Sequence, residues 1–227
     1  MYNFVATLYR LLIRNRRLRD ALILFLLTGF LIWGIAIHEY LTEEVMYSFN
    51  KTVYVVYLTI AMFIIPITLT SNLFSFVFSL IRFSILFSNY TVRQVVKNLV
   101  VFFALSNLIY DLLFFAPLFF VNSEIEELFA LAFLSTGIGV PLSILISSTK
   151  IKSIDLTKAK THNYEGLSFK IIFLTISMVA TCFGIIYFMS DKYITPFFVG
   201  ILGLLILPLW IKIIKNRLLV IEDKFKL

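Results

Sequence analysis

Asp111 stands within an apolar stretch, Leu99–Val121, with Tyr110 beside it and Asn107 four positions earlier. On a helix that spacing puts Asn107 and Asp111 on one face. A carboxyl group held among Phe and Leu side chains is costly, and a residue kept at such cost serves a pathway, a proton relay or an interhelical bond. Two readings follow. Asn107, Tyr110 and Asp111 line a translocation path or subunit interface, or they make a polar contact with another helix, with Asp111 protonated.

Other reactive side chains are scarce. His38 and His162 are far apart, and the single cysteine, Cys182, lies inside an apolar run. No metal-ligand spacing results, and no internal disulfide is available. The chain has no G-x-x-x-x-G-K-[ST] phosphate loop, no H-E-x-x-H and no G-x-S-x-G. It therefore offers no catalytic residues and no cofactor or metal site of its own. One intramembrane carboxylate is also little for acid–base catalysis, so the chain is not expected to be an enzyme.

The elements that position Asp111 are read from hydropathy. Of 227 residues, 60% are hydrophobic and 15% charged, with 25 Phe against 8 Gly. A soluble domain runs near half apolar and a quarter charged, so this excess of bulky apolar side chain needs a bilayer as its solvent. About 20 helical residues cross the hydrocarbon. Runs of that kind occupy Ala21–Ile37, Val53–Ile81, Leu99–Val121, Leu128–Ser147, Ile171–Met189 and Pro196–Ile214. These predict an all-α membrane protein with six transmembrane helices. Pro66 and Pro208 should kink the second and last spans. The second run exceeds a perpendicular crossing and is expected to tilt or to project past the headgroups.

Charge orients the spans. With the N-terminus inside, all but two of the 20 Lys and Arg residues fall on the inner side, leaving Lys51 and Lys192 outside. Glu39, Glu43, Glu44, Glu124, Glu126, Glu127 and Asp191 fall outside. Such a bias is expected to place both termini of this multi-pass protein in the cytoplasm. It also accounts for the net charge of +7 without nucleic acid as a partner. Gly34 and Ala36 loosely fit a signal-cleavage pattern, but the 20 residues before the apolar run are long for an n-region, the run exceeds the usual h-region, and cleavage is not expected.

Three inner segments are candidate contact surfaces. Residues 1–20 place Phe4, Val5, Leu8, Leu11 and Leu12 between arginines, predicting an amphipathic interfacial helix ahead of the transmembrane domain, residues 21–227. After the second span, Asn89 or Thr91 is placed to cap a short cytoplasmic helix with Val92, Val95, Val96 and Leu99 on one face, running into the third span. The basic loop 148–170 suits a partner or anionic membrane lipids.

Taken together, the interfacial helix, six spans, short helix between spans two and three and inward termini resemble the ABC-2 type permeases, the membrane subunits of ATP-driven exporters. The resemblance covers the layout of the whole chain. It implies a dimeric path, formed with a second permease chain in a homo- or heterodimer, and separate ABC ATPase subunits that bind the ATP and Mg. It also implies that the helix after span two is a coupling helix. Ser88, Asn89, Tyr90, Thr91 and Arg93 would then lie at or beside the ATPase contact. Many members carry an acidic residue and a Gly-Thr pair at the end of span two, where this chain has Arg82 and neither feature. The short loops and richness in Phe and Asn resemble permeases of low-GC Gram-positive bacteria that export amphipathic peptides, such as the phenol-soluble modulin exporters. The substrate implied is amphipathic or lipidic, a peptide above all. The alternative is a membrane-embedded immunity or binding protein that moves nothing.

Overall fold

A computed structural model describes residues 91–115, 125–148 and 194–224, with scattered positions within 23–37, 62–67 and 173–184. The proposed interfacial helix (1–20), Ser88, Asn89, Tyr90 and the basic loop 148–170, apart from Ser148, lie outside the described residues. All regular structure among the described residues is helical. It comprises α1 (Val92–Phe115), α2 (Ile125–Leu134), a π-helical turn (Ser135–Gly139), α3 (Val140–Ser147), α4 (Ile194–Leu205) and α5 (Leu207–Lys224).

Helix α1 starts where a side chain is able to start it. The Thr91 backbone N–H donates to Gln94 Oε1 at 2.9 Å, and the Gln94 N–H donates back to Thr91 Oγ1 at 3.3 Å. This reciprocal arrangement is a capping box, which satisfies two donors the helix leaves free at its N-terminus. Thr91, of the two predicted candidates, is therefore the cap. Val95, Val96 and Leu99 are fully buried, as the spacing predicts, while Val92 is half-buried. The predicted short helix is not separate from the span. It forms the first turns of one helix that continues without a break to Phe115. At 24 residues, α1 is about 36 Å long, enough to cross about 30 Å of hydrocarbon.

The outer face of α1 changes character along its length. Arg93, Gln94 and Lys97 are exposed near its start. Farther along, the exposed side chains are Leu105, Ile109, Leu112 and Leu113. A polar-to-apolar change on one exposed face is compatible with a helix that leaves water and enters lipid.

The next apolar run has the predicted bounds, Leu128–Ser147, and is likewise long and apolar enough to cross a membrane. It is built from α2, the π turn and α3. Pro141 stands at the beginning of α3. With no N–H to offer the carbonyl of Gly137 and a ring that crowds it, Pro141 is poorly suited to a continuous α-helix. The widened turn accommodates this, with the Val140 N–H reaching back five residues to the Ser135 carbonyl. Glycine makes the surroundings possible. A side chain at Gly137 would run into the Gly200 backbone, one at Gly200 into that of Phe133 and Leu134, and one at Gly203 into the Gly137 carbonyl. Helix α4 thus lies with its backbone against the π turn, and Phe133 meets Phe197 edge-on at 5.1 Å in the same crossing.

Helices α4 and α5 meet at a 61° bend around Ile206. Pro208 was expected to kink this run, and the bend lies two residues before it. The proline leaves the Leu204 carbonyl without its helical donor, and the Leu209 and Trp210 N–H groups both converge on the Ile206 carbonyl, at 2.8 and 3.2 Å. Helix α4 has only 12 residues, about 18 Å, so it cannot cross alone. Among the described residues, two helices are therefore long and apolar enough to cross a membrane, or three if the bent pair is one span. Helix α5 buries Ile211, Ile214 and Leu218 while Lys212 and Arg217 stay exposed.

Residues from the other predicted spans appear at isolated positions. Residues 26–31 are helical, and Gly29 lies so near Phe114 of α1 that a side chain there would strike the ring. Phe63 and Pro66 lie against Gly139. Phe63 leaves the helix as a turn three residues before Pro66, and the Ile67 N–H bonds the Phe63 carbonyl at 2.8 Å. Phe173, Ser177 and Thr181 are among the helical positions of the fifth run.

Candidate intramembrane polar site

Where α1 faces the π turn, four polar side chains meet in an otherwise apolar interior. Asn107, Asp111, Ser135 and Thr136 are all at least 99% buried. Helical spacing aligns the first two on α1, as predicted. The π turn supplies the others, consecutive residues that both point into the same contact.

The contacts are short. Asn107 Nδ2 donates to Asp111 Oδ2 at 2.8 Å, and lies 2.9 Å from both Ser135 Oγ and Thr136 Oγ1. The amide carries two hydrogens, so three acceptors compete for them. Ser135 Oγ lies 2.8 Å from Asp111 Oδ2 and 3.1 Å from the Ala132 carbonyl, with one hydrogen to give. Two oxygens remain buried with no partner, Asn107 Oδ1 and Asp111 Oδ1. Leaving a buried acceptor unmatched costs about 1–3 kcal/mol, more for a charged group.

Neighbouring hydroxyls donate to backbone carbonyls. Ser143 donates to Val140, Ser147 to Ser143 and Ser148 to Leu145, each within α3 or its end. Tyr110 is buried, with its ring tilted against Phe114 at 4.9 Å. It thus packs beside the site, next to the helix around residue 30, where Phe30 meets Phe114 edge-on at 6.2 Å. Of the residues expected at a partner contact, Thr91 caps α1 and Arg93 is exposed in its first turn.

The two residues that sequence reasoning missed are Ser135 and Thr136. The available signal was a Ser-Thr pair near the middle of the Leu128–Ser147 run, followed by Gly-Ile-Gly-Val-Pro. Among the described residues, no three His, Cys, Asp or Glu side chains gather as a metal site would require. The cluster's chemistry is that of one carboxyl group, one amide and two hydroxyls, joined by hydrogen bonds between α1 and the π turn.

Comparison of the chain with protein families, with curated proteins and with solved structures finds no match in any of the three, so its functional reading rests on its own residues.

Proposed function

We propose that this chain is the permease subunit of an ATP-driven, ABC-2 type exporter with six transmembrane helices and both termini in the cytoplasm. It works as a homo- or heterodimer with separate ATPase subunits in a bacterial cytoplasmic membrane. Its substrate is amphipathic or lipidic, and a peptide fits best. The observation that carries this reading is the continuity of α1. One unbroken helix joins the capped, polar start at Thr91 and Arg93 to the buried Asn107 and Asp111. A push delivered by an ATPase near Arg93 would move the polar site without a hinge to absorb it. The inner-side bias of Lys and Arg supports the orientation this requires.

Co-purification tests the assembly. An ATPase subunit should remain bound to the chain in mild detergent, and the reading fails if none does. In the assembled complex, Tyr90→Ala combined with Arg93→Ala should lower substrate-stimulated ATP hydrolysis about fivefold, the effect of losing roughly 1 kcal/mol at a contact, while insertion into the membrane stays normal. Unchanged stimulation would refute the placement of the coupling surface.

A further inference from the structure

Helices α4 and α5 divide the last apolar run unequally. Phe197 and Gly200 lie against Phe133 and Leu134, and Gly203 lies against Gly137 farther on. Helix α4 therefore runs in the same direction as the Leu128–Ser147 run. Past the bend, α5 packs against α3 and α1, toward the Ser147 end of that run. With a 61° bend, each residue of α5 advances only about 0.7 Å along the axis of α4, against about 1.5 Å in a straight helix. After the roughly 18 Å of α4, a crossing along that axis would need the whole of α5 to complete about 30 Å. Lys212, Lys215 and Arg217 would then sit in hydrocarbon, where charge is costly. The side chains of α5 suit another setting. Ile211, Ile214 and Leu218 are buried against the protein, whereas Leu209 and Ile213, four residues apart on another side, are 51% and 39% exposed. At about 100° per residue, the exposed Lys212 and Arg217 lie on either edge of this second apolar stripe. Every charged residue from Leu207 to Val220 is basic.

We infer that α5 lies along the membrane surface at the Ser147 end of the molecule and binds anionic phospholipid through Lys212 and Arg217. Leu209 and Ile213 rest on the acyl chains, and the two cations reach lipid phosphates on either edge of the stripe. An apolar stripe flanked by basic residues suits a helix lying in the interfacial plane. Long basic side chains lay their stems along apolar surface and keep the charge among the headgroups. The crossing left to α4 is short, and a short crossing draws the headgroups inward, toward Lys212. Net negative lipid is the partner that fits, because the exposed charges flanking the stripe are both positive and each gains from an anionic surface. The inference rests on the membrane reading of the chain and not on the exporter reading.

The full-length chain in phospholipid nanodiscs provides the test. In a Cys182→Ser background, Leu209→Cys, Ile213→Cys and Asn216→Cys are spin-labelled in turn, each replacing an exposed residue. If α5 lies in the membrane plane, the three labels should sit within about 4 Å of one depth, because they share a side of the helix. If α5 crosses instead, positions 209 and 216 should differ in depth by about 10 Å, and the inference is overturned. Lipid preference is read at Trp210, which is the only tryptophan once Trp33→Phe is made. Phospholipids brominated in their acyl chains quench it when they lie beside α5. Brominated phosphatidylglycerol should be preferred there over brominated phosphatidylcholine by at least about threefold. Lys212→Gln combined with Arg217→Gln, both at exposed positions, should remove that preference. Equal quenching by the two lipids overturns the inference, and so does a preference that survives the double substitution. No readout involves an ATPase, so failure here and failure of the exporter reading are distinguishable.

Discussion

The two helical runs that form the polar site differ in how they cross the molecule. Helix α1 is unbroken and leaves much of its length open, with Leu105, Ile109 and Leu113 about half exposed. The Leu128–Ser147 run is largely covered, and it contains the π turn, a proline and two glycines. A lipid surround would account for the contrast. A backbone group without a partner cannot be exposed to hydrocarbon, so irregular turns are tolerated where other helices surround them. The outer helix stays regular, while the enclosed one departs from regularity and supplies Ser135 and Thr136 to the site.

The contrast breaks most readily at the crossing of α4 with the π turn. Gly200→Leu should destabilise the fold by about 3 kcal/mol, because the added side chain meets the backbone of Phe133 and Leu134, which cannot yield as a flexible side chain does. Gly34 is the control. Nothing lies within 4 Å of a side chain added there, so Gly34→Ala should leave stability unchanged or raise it by up to about 1 kcal/mol. Equal losses for the two substitutions in detergent unfolding would show that the close crossing is not the constraint.

A smaller effect is expected from the partner face. Asp111→Leu removes the acceptor used by Asn107 Nδ2 and Ser135 Oγ and should cost about 2 kcal/mol. Asp111→Asn keeps an oxygen for them and should cost less than about 1 kcal/mol on the same scale. Stability that is equal in the two variants would show that the cluster does not join α1 to the π turn. If transport survives Asn but not Leu, Asp111 acts as a polar contact rather than through its charge.

The smallest change concerns the regular helix itself. Thr91→Ala removes the capping box and should destabilise the start of α1 by about 1 kcal/mol, seen as faster hydrogen exchange in its first turn. The distant end, around Asp111, should keep its protection. Loss of protection along the whole of α1 would mean that the helix depends on its cap more than on its packing.

Much of this architecture was legible in residue order. The bounds of Leu128–Ser147, the buried stripe of Val95, Val96 and Leu99, and a break associated with Pro208 follow from hydropathy, helical spacing and the missing proline N–H. These are local properties. Asn107 and Asp111 were visible for the same reason, being four residues apart on one helix. Their partners were not, because Ser135 and Thr136 reach Asn107 across 28 and 29 positions of sequence. In an α-helix, moreover, consecutive residues point about 100° apart, so both joining one cluster depends on the shape of the π turn and its contact with α1.

The sequence by itself determined the apolar run Leu128–Ser147, the break associated with Pro208 and the costly carboxyl group at Asp111, and it narrowed the cap of α1 to Asn89 or Thr91. Each depends on an atom the residue has or lacks, or on periodicity along a single helix. Tertiary structure decided that Gly137 and Gly200 bring α4 against the π turn, and that Asp111 meets a serine–threonine pair. Those contacts join chain segments far apart in sequence, and their energies exist only once the helices have packed.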